Sequence, residues 1–320
     1  MNNKYLEESS ACLIVDSEMI ARWQFEALKL AIERGLSVRC VYVCDNTIVR
    51  RKYFKHAGYY ALNLFSMRHR WAKKVSWRGL IKPEIPVHHF KSDWVDGWQR
   101  LRGDTLHEMS GYKFDFVIKF GMYLLRDPNK IPATYGVFSF HHGDPSQYRG
   151  RPAGFYELMN GASHIGVMVQ RLSNELDAGI VMAFCTCKIS QHSYQSTLEN
   201  AYRNGSFLLS KALKNALDGK FLPHPTSGPN YRLPNNWVVL KFVILLAVRK
   251  MRRLFYGAFI EKKWRIAHSV NIDMGALSSV MYLPVKEVIP IPSGYAFLAD
   301  PIVFDDQTLL CEAMERSSGK

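Results

Sequence analysis

The order of apolar and polar positions divides the first two hundred residues into short apolar runs and helical repeats. Residues 11–15 are continuously apolar and predict a buried strand. Met19, Ile20, Trp23, Ala27, Leu30 and Ala31 then recur at helical spacing, with Asp16 or Ser17 placed to cap that helix and Gly35 to stop it. Residues 37–43 are β-branched and apolar, a second strand. Strand, helix and strand make a βαβ unit, so a parallel sheet is expected. Residues 50–74 and 94–110 read as helices, 114–120 and 137–140 as strands, and 152–159 as a short helix with Pro152 at an early position. Residues 164–172 and 180–189 are extended, and 193–217 reads as one long helix. The fold class is therefore α/β: a Rossmann-like, mostly parallel sheet flanked by helices, with a C-terminal helical and β extension.

The pattern changes after residue 222. Pro, Gly, Ser and Asn crowd residues 222–234, which read as a boundary. This gives a main domain over 1–222, a linker and basic apolar helix over 223–262, and a short β-rich segment over 263–320. Residues 237–248 are apolar apart from Lys241, a run too short for a bilayer, which needs about 20 residues. It is either a helix packed on the main domain or, over 237–256, a basic amphipathic segment lying in a membrane interface.

Composition sharpens this. At 320 residues and 48% hydrophobic, the chain can build one large or two medium domains, and 13% aromatic residues argue against disorder. The net charge of +14 is uneven: residues 232–265 hold nine basic residues and one acidic, Glu261. Arg50, Arg51, Lys52 and Lys55 form either a solvated face or an anion-binding patch. The six cysteines lie mostly in apolar runs, and the Cys185-x-Cys187 spacing is tighter than zinc sites use. Buried, reduced thiols in a cytoplasmic protein are expected. Residues 1–10 are polar and do not read as a signal peptide.

The candidate chemistry sits where the strand at 137–140 runs into His141 and His142, a Gly-Asp-Pro turn, and Tyr148-Arg149-Gly150. Ligands of open α/β sheets bind at such strand ends. The pleat should send the two histidines to opposite sides. Asp177, in a turn between two extended runs, is one carboxylate that would hold a histidine in place; Asp144 is another, with turn-capping as its plainer role. Arg149 and Arg151 offer guanidinium groups to an anion. Two adjacent histidines also suit metal binding or packing, but no third ligand stands at a metal-binding spacing, so no metal is expected. The turn after the first strand carries no G-x-G-x-x-G, which speaks against a dinucleotide site.

Taken together, Gly136-Val-Phe-Ser-Phe-His141, Tyr148-Arg149-Gly150, Gly166-Val-Met-Val-Gln170 and Leu176-Asp-Ala-Gly179 resemble the folate-dependent formyltransferase superfamily, in order and spacing, over residues 11–220. The family includes amino-sugar, methionyl-tRNA and glycinamide ribonucleotide formyltransferases. The resemblance implies transfer of a formyl group from 10-formyltetrahydrofolate to an amine. His141 would stabilise the developing oxyanion; Asp177 would favour the protonated ring and help move protons through water. Ser139 stands where the family has an Asn. His142-Gly143 replace Pro-Ser, and Gln170 replaces a later His. Ser139 is a short donor, and loss of one such donor costs about 3 kcal/mol in hydrolases. His142, beside the site, is expected to compensate. The folate pocket would comprise Phe120, Gly121, Met122, Tyr123 and Leu124 with Asn174, Leu176 and Asp177; a helix start is the plainer reading of residues 122–125. Asp144, Tyr148, Arg149 and Gly150 would meet the acceptor.

Residues 233–320 do not read as the barrel with which tRNA-directed members grip their substrate. Their end, around Ala299-Asp-Pro301, resembles one blade of a five-bladed propeller in glycan-processing enzymes. The expected acceptor is a small amine or nucleotide-linked amino sugar, with nucleic acid less favoured. A catalytically impaired folate- or sugar-binding relative, a methionyl-tRNA formyltransferase-like enzyme, peripheral membrane contact and a homodimer are the alternatives carried forward.

Overall fold

The structure is a computed structural model and describes residues 5–7, 9–46, 53–260, 264–268, 287–303 and 309–315. It divides into two compact units, Met1–Ala247 and Val248–Lys320.

In the first unit, β1 (Ser10–Val15) is buried throughout. The expected first helix starts later than its periodicity suggests. Met19–Ala21 is a short strand, β2, because it pairs antiparallel with β4 (Lys74–Ser76). Helix α1 (Arg22–Glu33) begins after it, so neither Asp16 nor Ser17 caps it; the Gln24 side chain accepts from the Ala21 N–H instead, at 2.9 Å. Gly35 ends the turn with φ 104°, and β3 (Ser37–Cys44) follows. Helix α2 (Ala57–Ser66) is shorter than the expected 50–74, and Arg50, Arg51 and Lys52 lie outside the described residues.

After β5 (Val87–Phe90) the expected helix at 94–110 is largely replaced by a hairpin, β6 (Ser92–Val95) and β7 (Trp98–Leu101); only α3 (Gly103–Ser110) is helical. Asp96 and Gly97 turn it, with φ of 51° and 78°, the left-handed pair that suits a two-residue hairpin. Next come β8 (Phe116–Lys119), β9 (Val137–His141), β10 (Arg149–Gly150) and α4 (Phe155–Met159). Pro152 precedes that helix, which begins after Gly154. Strands β11 (His164–Arg171) and β12 (Ile180–Lys188) form the antiparallel pair flanking Asp177. The long helix at 193–217 is two, α5 (Tyr194–Gly205) and α6 (Leu208–Leu217), broken at Ser206-Phe207. Ser193 caps the first, accepting from the Ser196 N–H at 3.1 Å.

The seven-stranded sheet runs β12-β11-β9-β8-β1-β3-β5. The five strands from β9 to β5 are parallel, and β11 runs antiparallel between β9 and β12. One face packs Leu13, Val15, Phe138 and Val169 on α1, α5 and α6 through Ala27, Leu28, Leu198 and Leu213. The other buries Cys12, Ile14, Tyr42 and Val117 against Met109 and Phe114. The chain builds outward from β1 to β5, then returns to β8 on the other side. This reversal opens a crevice beyond the carboxyl ends of β1 and β8.

Residues 222–234, expected as a boundary, instead belong to the first unit. They hold β13 (Asn230–Tyr231), which pairs with β10. Helix α7 (Asn236–Phe259) follows, and the division between units falls within it. Its Phe242 is fully buried, stacked on Phe155 at 4.1 Å.

In the second unit, β14 (Ala267–His268) pairs with β15 (Glu287–Val288), and β16 (Tyr295–Val303) pairs antiparallel with β17 (Leu309–Glu315). Among the described residues these are two-stranded pairs only. No described helix is long and apolar enough to cross a membrane.

Candidate active site

Strand β9 ends at the crevice, and its pleat separates the histidines as expected. His142 points away from the crevice, into a box of Trp23 and Tyr202 with ring centroids at 4.9 and 4.7 Å. Burial pushes its pKa down to about 3, and its Nε2 has no hydrogen-bond partner among the described residues. The expectation that His142 replaces the missing amide is therefore corrected: it is a neutral ring in an aromatic pocket.

His141 is 7% exposed and faces the crevice. Its Nδ1 lies 3.3 Å from Asp177 Oδ1 and its Nε2 lies 3.1 Å from the Tyr148 carbonyl oxygen. Both nitrogens therefore face acceptor oxygens, which fixes the plane of the ring. Gly143 makes room for this, since a β-carbon there would sit 2.7 Å from Nε2.

Asp177 adopts φ 48° in the β11–β12 connection. Its Oδ2 accepts from the Gly150 N–H at 2.9 Å. The connection is held from several sides. Gly179 N–H donates to Gln170 Oε1 at 3.0 Å, Asp127 N–H donates to Asn174 Oδ1 at 2.7 Å, and Arg149 Nη1 donates to the Leu176 carbonyl at 3.5 Å. Arg149 also donates from Nε to the Gly228 carbonyl at 2.6 Å. It braces the loop rather than lining the crevice, contrary to the substrate-binding expectation. Asp144 is likewise a turn cap, accepting from the Ser146 N–H at 2.9 Å and hydroxyl at 2.6 Å. The Tyr148 ring stacks on Tyr231 at 5.5 Å.

The crevice is a cavity of about 730 Å³, within the range of small-molecule sites. Met122, Tyr123, Leu124, Leu176, Asp177, His141 and Gly150 line it. Met122 does so with φ 62° and its N–H donated to Asp16 Oδ1, so residues 122–125 start no helix. Phe120 does not line the cavity; it packs against Phe140 and Trp23 on the opposite face. Gly121 is a close-approach point, where a β-carbon would lie 2.2 Å from the Asp16 nitrogen. Asn174 ties its loop to Asp127. Ser139 does not line the cavity either: its hydroxyl donates to the Lys119 carbonyl at 3.4 Å.

The sequence reading missed Lys119 and the far wall. Lys119, at the end of β8, lines the cavity with His141 and Asp177. Burial pushes its pKa down to about 8, against the pull of Asp16 and Asp177. Its signal was a single lysine inside an apolar strand. Arg151 sits 5.6 Å over the Tyr123 ring, and Tyr231, Arg232, Lys55 and His56 complete the rim. Among the described residues no group of three or more His, Cys, Asp or Glu is placed to hold a metal ion.

No protein-family model matches the chain. Among solved structures it is similar to a sugar 3N-formyl transferase, WlaRD, solved with dTDP and 5-N-formyl-THF, at 12% identity, TM-score 0.44, over 70% of this chain and 69% of that one. It is also similar to a phosphoribosylglycinamide formyltransferase from Anaplasma phagocytophilum (15% identity, TM-score 0.45, 71% of this chain and 98% of that one). A third is glycinamide ribonucleotide transformylase 1 from Symbiobacterium toebii (11% identity, TM-score 0.46, 71% and 94%).

Proposed function

We propose that this chain is a formyltransferase that moves a formyl group from a 10-formyltetrahydrofolate-type donor to an amine, with a nucleotide-linked amino sugar as the acceptor class. The observation that carries this reading is the His141–Asp177 pair, 3.3 Å apart, on the floor of an apolar and aromatic cavity with a basic rim. Met122, Leu124 and Leu176, with the Tyr123 ring, suit a flat heteroaromatic donor. Lys55, Arg151 and Arg232 suit anionic groups such as carboxylates or phosphates. A bound formyl folate would supply an activated formyl carbon. The protein's part is to place an amine against that carbon, exclude water and hold positive charge near the formyl oxygen as it gains electrons. Asp177 orients His141.

The test mixes the protein with 10-formyltetrahydrofolate and a panel of amines, nucleotide-linked amino sugars included, and follows tetrahydrofolate release. Release is expected with at least one amine and a fall of a hundredfold or more in His141→Ala. Equal rates in the two proteins would overturn the reading. One observation favours a folate- or sugar-binding relative without turnover: the Ser139 hydroxyl is spent on a backbone carbonyl, so it offers the site no donor. Folate binding without release would select it.

The reading extends to the membrane surface. In the second unit's part of α7, Met251, Leu254 and Phe255 are exposed beside Arg252 and Arg253, a composition suited to an anionic bilayer. Co-sedimentation with phosphatidylserine vesicles that weakens with salt is expected; no co-sedimentation at low salt would remove this part.

A further inference from the structure

The sheet register joins Lys119 to the catalytic pair. Val117 pairs with Val137 and Ile118 with Phe138 in the parallel ladder of β8 and β9. Two residues beyond the first of these pairs stand Lys119 and Ser139, and two beyond Ser139 stands His141. Side chains at steps of two share a face, so all three lie on the cavity side of the sheet. On the other flank of β8, Lys119 pairs with Ile14 of β1. Lys119 thus sits at the crevice between β1 and β8, where the strand order reverses.

The donors at this point are unequally free. Ser139 gives its hydroxyl hydrogen to the Lys119 carbonyl. His141 has Nδ1 toward Asp177 and Nε2 toward Tyr148. Arg151 is drawn to the Tyr123 ring. The Lys119 ammonium lines the same cavity and makes no hydrogen bond or ion pair among the described residues. Its charge is uncompensated by direct contact, and it stands beside the position where an amide donor is missing.

We propose that Lys119 is the donor that replaces the absent amide: its ammonium binds the formyl oxygen and stabilises the charge that forms there, beside His141. This rests on the formyl-transfer reading. As the acceptor amine adds to the formyl carbon, the carbonyl π pair moves to oxygen and Lys119 holds that oxygen by a charge-assisted hydrogen bond. The carbonyl then re-forms, the bond from carbon to the donor nitrogen breaks, and that nitrogen gains the proton that the amine loses. Lys119 keeps its own protons throughout, so it must be charged to act.

Lys119 shares its surroundings with Asp16, Asp177 and His141, and across the cavity with Lys55, His56 and Arg151. The two carboxylates favour its charged form. Burial dominates, so the ammonium is lost as pH rises through about 8.

The test combines a titration with kinetics. Competitive acylation of the whole protein, read by mass spectrometry against pH, should give Lys119 a midpoint near 8, roughly two units below surface lysines. In the wild type, kcat should fall as pH rises above about 8. Lys119→Arg keeps the charge and should move that fall upward by at least one unit while retaining more than a tenth of the rate. Lys119→Met should lower kcat a hundredfold or more, lack the alkaline fall, and bind 10-formyltetrahydrofolate within threefold of wild type. An active wild type with Lys119→Met within threefold of its rate overturns the proposal and leaves the formyl-transfer reading standing. A wild type that transfers no formyl group overturns both.

Discussion

A methyl group on Gly150 would sit 2.2 Å from the Tyr231 carbonyl oxygen, and the residue's φ of 86° already disfavours any β-carbon. Gly150→Ala should therefore pull β10 from β13 and withdraw the N–H that fixes Asp177. The expected result is a loss of about 1–3 kcal/mol in stability, seen in urea melts, and at least a tenfold fall in kcat, because the carboxylate loses its anchor. His142 predicts a pH dependence. Its folded pKa is depressed, from an ordinary value near 6.5 to about 3, by burial. The unfolded chain thus takes up a proton that the folded one refuses as pH drops below about 6.5. The stability of the neutral ring is fully present above that pH and is lost progressively toward pH 3, by up to about 4 kcal/mol. His142→Phe keeps the aromatic packing and should flatten this acid limb in urea melts at pH 4 and 7. His141 and Asp177 were legible in the sequence because a strand-ending His and an Asp in a turn before Gly179 report chemistry locally. Lys119 was not. Its meaning lies in which strands flank β8, and strand order is not written in any window of the sequence.

Elements with a simple hydrophobic period were legible, and those set by pairing were not. Strands β1, β3, β9, β11 and β12 follow apolar runs that need no partner to be recognised. The β6–β7 hairpin was hidden because Trp94, Val95 and Trp98 also fit a helical period, while the decisive signal, Asp96-Gly97, is two residues long. Residues 222–234 look like a linker by composition, yet their backbone supplies β13 to the site wall. The part of α7 that belongs to the first unit is held there by a small apolar cluster. Phe242 stacks on Phe155 and meets the Tyr194 ring edge-on at 5.4 Å. Phe242→Ala should cost about 3–5 kcal/mol, measured as a lower urea midpoint, with Lys241→Ala as an exposed control that changes it little.

The first unit as a whole uses strand order to bring chemistry together. Residues from the ends of β8 and β9 and from the β11–β12 connection reach one crevice, where Lys55 and His56, just before α2, and Tyr60 of α2 join them; the other helices supply the core behind it. The fold class was legible because alternating strands and helices admit few arrangements; the wall formed by 230–233 was not, because it adds no core. The β10–β13 pairing also sets an order of events. Arg149 and Gly228 are 79 positions apart, so their contact closes a long loop, with an entropic cost that must be met before the pairing returns any stability. The strands and helices between them need no such closure. A refolding chain should therefore recover its far-ultraviolet dichroism first and its Tyr148–Tyr231 stacking later. A chain cut after Leu222 should keep the sheet while never completing the site. Assembly of the scaffold and maturation of its reactive corner become separable steps, with the second open to control by whatever grips residues 223–234.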